Sequence, residues 1–172
     1  MPIHISDTLY LTPLTKTDAE FIFDLVNSNR AQLREFLYWV DDVICVDSAR
    51  AYIAQRVDSS LPNAHWFKVH FNNKTCGIFA IKSVCKETYT AELGYWLCSS
   101  VHGNGLINKI IEHLVLLVPS LQVEVIEFRC LELNHASIKV ALKSGARFVQ
   151  SIPNYMVANN VTQSLNIYQL EL

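Results

Sequence analysis

The sequence predicts an α+β domain, a mixed sheet covered by helices on both faces. Three observations predict it. Hydrophobic spacing switches repeatedly between a period of two and a helical period along the chain. The resulting order is strand, three helices, three strands, helix, strand, helix and two strands, which is neither all-β nor a regular βαβ series. No stretch rich in Pro, Gly or Ser divides the 172 residues, so residues 1–172 read as a single domain.

Each element has its own signal. Leu9 and Leu11 alternate with Thr8, Tyr10 and Thr12 as a first strand. Thr17-Asp18-Ala19-Glu20 reads as a capping box, followed at helical spacing by Phe21, Ile22, Leu25 and Val26. Ala31 to Trp39 carries Leu33, Phe36 and Leu37 on one side and predicts a second helix. Asp47 predicts the cap of a third, containing Ala51, Ile53, Ala54 and Val57. His65–Phe71 alternates, Asn72-Asn73-Lys74 turns, and Cys76–Val84 returns. Thr88–Cys98 is the next strand. Gly105–Val118 is an amphipathic helix, with Leu106, Ile107, Ile110, Ile111, Leu114, Val115 and Val118 on its apolar stripe. Val123–Leu131 is strand, and Asn134–Ser144 is a helix ending at Gly145. Phe148–Ile152 and Val161–Leu170 complete the sheet.

Composition excludes several classes. Apolar residues make up 51% of the chain and charged residues 17%, enough to bury a core and too little charge for a disordered chain. The net charge of −2 lacks the basic footprint of a duplex-binding protein, so no direct nucleic-acid partner is expected. No apolar run approaches the ~20 residues that span a bilayer, and no signal peptide is evident, so no membrane is expected. Five cysteines, with no C-x-x-C spacing, disfavour a disulfide framework and structural zinc. The expected location is the cytoplasm, and no metal is expected.

One segment concentrates the chemistry. In Glu92-Leu93-Gly94-Tyr95-Trp96-Leu97-Cys98-Ser99-Ser100-Val101-His102-Gly103-Asn104-Gly105-Leu106-Ile107 a strand runs through Gly-x-Gly into a long helix. Glycines let backbone approach a ligand, and the unpaired first N–H groups of a helix suit a pyrophosphate. The same turn could equally be only a tight connection. The full dinucleotide fingerprint and the Walker A pattern are both absent. A second segment, Asn134-His135-Ala136-Ser137 with Lys139, Lys143 and Gly145, reads by itself as an N-cap and a helix whose late lysines offset its dipole.

Taken together, Glu-Leu-Gly-Tyr-Trp-Leu, His-Gly-Asn-Gly-Leu and Asn-x-x-Ser-x-x-x-x-x-Lys-x-Gly resemble the GNAT superfamily of N-acetyltransferases. Leu9-Tyr10-Leu11-Thr12-Pro13-Leu14 and Leu33 to Asp41 are similar to its branch that acetylates the N-termini of ribosomal proteins. The resemblance spans nearly the whole chain. It implies the GNAT fold, with two splayed parallel strands, here Thr88–Cys98 and Val123–Leu131, holding acetyl-coenzyme A between them. It further implies pantetheine pairing near Leu97, Cys98 and Ser99, and pyrophosphate binding at His102, Gly103, Asn104, Gly105, Leu106 and Ile107. Asn134 would contact the pantetheine and Ser137 would lie near the thioester sulfur. His102 stands where the family usually has Gln or Arg, and Ile107 where it has a small residue. Homodimers occur in that branch; the sequence itself shows no interface.

The implied reaction is direct attack by an amine on the thioester. Glu92 shares by alternation the face of Gly94, Trp96 and Cys98, and is either a structural ion-pair partner or the proton acceptor, directly or through water. Ser137 is the candidate proton donor to the thiolate, or otherwise a polar residue of a helix's first turn. Tyr155, expected in the loop between the last two strands, and Trp39 are acceptor-contact candidates against simple packing. Cys98 has no assigned His-Asp pair to activate it as a nucleophile. The leading expectation is an acetyl-coenzyme A-dependent N-acetyltransferase acting on a primary amine, either a protein N-terminus or a small amine such as an antibiotic or polyamine. The rival is a non-catalytic coenzyme A-binding module or sensor.

Overall fold

In the computed structural model, which describes residues 2–117 and 122–172, the alternating segments assemble into one eight-stranded sheet. The strands are β1 (Ile3–His4), β2 (Leu9–Pro13), β3 (His65–Phe71), β4 (Lys74–Cys85), β5 (Thr90–Leu97), β6 (Val125–Leu131), β7 (Arg147–Ala158) and β8 (Val161–Glu171). Their spatial order is β1-β2-β3-β4-β5-β6-β8-β7. Among the described residues, only β5 and β6 pair in parallel. Two hairpins set the registers locally. Asn72 and Asn73 (φ 50° and 60°) turn β3 into β4, and Asn159 and Asn160 (φ 51° and 61°) turn β7 into β8. Asn tolerates the left-handed region that such two-residue turns require.

Helices α1 (Ala19–Ser28), α2 (Arg30–Leu33) and α3 (Val46–Val57) cover one face; α4 (Leu106–Leu117) and α5 (His135–Lys143) cover the other. Alternation along the central strands divides the core. Phe79, Ile81 and Leu93 pack with Leu106, Ile110 and Ile111 of α4 and Ala141 of α5. Ile78 and Trp96 pack on the opposite side with Ile22, Val26, Leu33 and Ile53. Each fully buried side chain of this size contributes roughly 1.5–3 kcal/mol. The mixed sheet with helices on both faces is therefore as the sequence predicts.

Local differences have local causes. The two-residue β1 carries too little alternation to be seen in the sequence. The first capping box is two residues earlier than expected: Thr15 and Asp18 cap a 3-10 turn over Lys16–Asp18, and Asp18 Oδ2 accepts from the Thr15 N–H at 2.8 Å. The second predicted helix stops at Leu33, and a 3-10 turn follows at Tyr38–Asp41. Arg30 draws the chain back by donating to the Val40 and Val43 carbonyls at 2.5 and 2.6 Å. Asp47 does not cap α3. Cys45 does so with Ser48, while Asp47 pairs with Arg50 at 2.7 Å. Helix α4 is described through Leu117, and the expected final residue Val118 lies outside the described residues. β7 is much longer than expected, running on from Ile152 to Ala158 as a largely exposed strand, while β8 ends one residue beyond its predicted bound.

Candidate active site

β5 and β6 pair only at Thr90↔Val125, Ala91↔Ile126 and Glu92↔Glu127. Beyond Glu92 the strands part. The end of β5 stays on β4, where Gly77 faces Leu97 and the Cys98 N–H donates to the Cys76 carbonyl at 2.8 Å. β6 meanwhile follows β8 along its whole length, from Val125 to Leu131. A V opens between them, and its β5 edge presents main-chain groups with no strand to pair with. An extended ligand bearing amides can take them.

Two cavities flank this V. One, of about 530 Å³, is lined by Leu97, His102, Gly103, Gly105, Leu106 and Ile107 from β5 and the turn, and by Asn134, Ser137, Lys139 and Lys143 around α5. Gly103 (φ 81°) and Gly105 (φ 66°) take backbone conformations that disfavour side chains. A Cβ at either would stand in open space, so neither glycine is there for packing. The first helical bond of α4 runs from the Lys109 N–H to the Gly105 carbonyl at 3.1 Å. The N–H groups of Leu106, Ile107 and Asn108 thus precede any helical acceptor. The Ile107 side chain is 5% exposed, its bulk absorbed by the core, which leaves its N–H at the turn.

His102 Nε2 donates to the Leu97 carbonyl at 3.1 Å and braces the turn against the end of β5. Asn104 folds back, its Nδ2 donating to the Val101 carbonyl at 2.9 Å. Cys98, Ser99 and Asn104 fall outside the cavity lining. Asn134 Oδ1 accepts from the Ser137 N–H at 3.2 Å, so it caps α5 while its amide also borders the cavity.

The second cavity, of about 280 Å³, lies on the α1–α3 side. Glu92, Trp39 and Tyr155 all line it. Glu92 pairs with Lys82 through Oε1, and its Oε2 is 3.9 Å from Arg129 Nη1. Arg129 also reaches Glu127 at 3.9 Å, and Glu127 accepts from Gln169 Nε2 at 2.9 Å. Trp39 packs on Tyr52 and Trp96, with ring centroids 4.4 and 5.9 Å apart. Tyr155 is not in a loop. It sits in β7, where Ile152 faces Leu165 and Met156 faces Gln163, so β7 advances four residues against two on β8. That bulge, with Asn154 at φ 51°, turns Tyr155 toward the cavity.

The cavities meet at Tyr95, Trp96, Asn134 and Ser137, under Phe36 and Leu37. The Tyr95 hydroxyl donates to the Ser137 carbonyl at 3.5 Å, tying β5 to the first turn of α5 across the V. Burial raises the Tyr95 hydroxyl pKa and keeps it protonated. Burial acts on the thiols nearby in the same direction. It raises Cys98 and pushes Cys130, on the lining of the smaller cavity, up to about 12.

Sequence reasoning alone missed several lining residues. Lys139 and Lys143, read as dipole partners, line the larger cavity. Lys82, Arg129, Tyr52, Trp66 and Arg56 line the smaller one. The i, i+4 pair Tyr52 and Arg56 on α3 was the available signal, since it places an aromatic and a cation on one helix face.

These features fit acetyl-coenzyme A. The open β5 edge suits an amide-bearing arm, the glycine turn supplies unpaired donors for a pyrophosphate, and two lysines add positive charge. Comparisons with known proteins agree. A model of the acetyltransferase (GNAT) domain matches residues 8–147. The ribosomal-protein-serine acetyltransferase of Escherichia coli (strain K12) is 23% identical over 168 residues, covering 96% of this chain and 94% of the relative. Among solved structures, a RimL ribosomal L7/L12 alpha-N-protein acetyltransferase in complex with coenzyme A superposes with a TM-score of 0.91 at 20% identity, covering 100% of this chain and 98% of that one. The microcin C7 self-immunity acetyltransferase MccE, in complex with acetyl-CoA and AMP, superposes at 0.89 with 22% identity, covering 98% and 94%. With strand splay, glycine turn and family match in agreement, the chain belongs to the GNAT acetyltransferase family and is an N-acetyltransferase with acetyl-coenzyme A as its donor.

Proposed function

We propose that this chain acetylates the α-amino group of a protein N-terminus, with a ribosomal protein as the acceptor. The observation that carries the reading is the meeting of the two cavities at Ser137 and Tyr95. Donor and amine can approach from opposite faces of the sheet and touch only at the open V. The relatives whose names state ribosomal-protein acetylation support the choice of acceptor, and a cytoplasmic site of action follows from it.

Acetyl-coenzyme A supplies an acetyl group activated as a thioester for direct attack by the amine. The rest falls to this chain. Arg56, Lys82 and Arg129 outnumber the one carboxylate, Glu92, on the acceptor lining. An N-terminal amine has a pKa of about 7.7–8.0, and neighbouring positive charge favours its neutral, nucleophilic form. Glu92, held in place by Lys82, accepts the proton released on attack, directly or through a water. Ser137, in the first turn of α5, donates a proton to the departing sulfur, where the helix N-terminus also favours negative charge.

The experiment is thiol release from acetyl-coenzyme A with N-terminal peptides as acceptors. E92Q and S137A should each lower kcat by about 100-fold or more, the usual scale for lost acid–base catalysis. Both should keep the donor-induced stabilisation, about 2.7 kcal/mol at 100 times Kd. Undiminished kcat in both variants would remove these residues from the chemistry, and peptides that are never acetylated would remove the acceptor.

A further inference from the structure

The acceptor cavity contains a cation that the reaction as described leaves without a partner. Arg56 lies in the last turn of α3, with its guanidinium carbon 3.5 Å from the Tyr52 ring centroid, 5.3 Å from Trp66 and 5.6 Å from Trp39. Its Nη1 donates to the Tyr52 carbonyl at 2.9 Å, while its buried Nε has no partner among the described residues.

Carboxylates of this half of the chain are engaged elsewhere. Asp58 pairs with Lys16, Asp41 with Arg34 and Asp47 with Arg50. Among the described residues no carboxylate comes within 4.0 Å of Arg56. Burial works against its charge, and nearby Tyr52 and Tyr38 offset only part of this. Aromatic packing on three sides holds the fork in place before any ligand arrives, so little side-chain freedom remains to be lost on binding. Such a fork matches a carboxylate in two-point geometry.

The surrounding charge points the same way. Three cations and one carboxylate line this cavity, although the whole chain carries a net charge of −2. With Lys82 engaged by Glu92 and Arg129 set between Glu92 and Glu127, the uncompensated positive charge rests on Arg56.

We propose that Arg56 is a specificity-determining residue that receives a carboxylate carried by the acceptor beside its reactive amine. The inference rests on the acetyltransferase reading above and deepens it by naming the acceptor class. The carboxylate has two chemical sources, the side chain of an acidic residue close to a peptide N-terminus or the carboxylate of a free amino acid.

The test measures equilibrium binding in the presence of coenzyme A. The probes are a Ser-Glu-led peptide, its Ser-Gln analogue, free serine and serinamide. For the wild type, the carboxylate member of one pair should bind about tenfold or more tighter than its amide, the range for a charge-assisted pair. The pair that shows the preference identifies the source. Arg56→Met should erase it, and Arg56→Lys, which keeps the charge but loses the fork, should retain only part. The coenzyme A-induced rise in thermal midpoint checks that each variant is folded. Equal binding of acid and amide by the wild type, absence of binding by all four probes, or a preference that survives in Arg56→Met would each overturn the proposal. Acetylation of the acid and amide members of both pairs at equal kcat/KM would also overturn it while leaving the acetyltransferase reading intact. A carboxylate preference in binding with no acetylation of any of the four probes would do the reverse.

Discussion

The side chain of Lys82 lies across Gly94. A Cβ at Gly94 would stand 2.8 Å from Lys82 Cδ and 3.2 Å from Cγ. The bare backbone at Gly94 is what lets the lysine stem cross β5 and reach Glu92 at the floor of the V. Gly94→Ala should push the flexible stem aside, at a stability cost of about 1 kcal/mol or less. Because Glu92 then loses its positioning partner, kcat should fall several-fold while KM for acetyl-coenzyme A stays unchanged. Steady-state kinetics beside a urea melt would check both halves.

Gly105 sets the entry to α4. Its φ of 66° costs a non-glycine residue about 1–2 kcal/mol. No atom lies within 4 Å of a Cβ there, so the cost is conformational and not steric. Gly105→Ala should therefore rotate the turn's N–H groups and raise KM for acetyl-coenzyme A about tenfold, with a much smaller change in kcat. A variant that keeps the wild-type KM would mean that the turn does not hold the donor.

Lys139 and Lys143 line the larger cavity from α5. Their joint replacement by Gln should weaken donor binding and flatten its dependence on ionic strength, since exposed charges are screened over about 8–10 Å at ordinary salt. Titration calorimetry at low and high salt reads both effects. An unchanged salt slope would remove the two lysines from phosphate binding.

Asp18 and Lys68 meet at 2.6 Å, with only 16% and 18% of their side chains exposed. Burial works against the Asp18 carboxylate, but the Lys68 ammonium and the Thr15 donors outweigh it and hold its pKa below the ordinary 3.8. A depressed carboxyl contributes stability above the unfolded pKa and loses it as pH falls through the lower folded value. Asp18→Asn should cost about 1–3 kcal/mol at pH 7, and its deficit relative to the wild type should shrink below pH 3.8. Denaturant midpoints at pH 7 and pH 3 would show whether the gap closes.

Much of this protein could be read directly from its residues. The strand His65–Phe71 has the bounds its alternation predicts, and the long apolar stripe begins at Leu106 as expected. Both are local signals, written every second or every third and fourth residue. The glycine turn was legible for the same reason, since it follows a strand and opens a helix within one continuous segment. The first helical segments were less legible. Arg30 shortens α2 by bonding carbonyls ten and thirteen residues away, and no local pattern encodes those bonds.

Sequence by itself thus determined most of the elements, their order, the glycine turn that opens α4 and the family. Tertiary structure alone decided how far β5 and β6 stay together, because β4 and β8 pull them apart beyond Glu92. It also decided that Glu92 is ion-paired with Lys82, that a bulge in β7 brings Tyr155 to the smaller cavity, and that Arg56 sits among three aromatic rings. Each depends on residues far apart in the chain meeting at one place. Periodicity assigns a side chain to a face, but the partner it meets there is set by the packing of other elements.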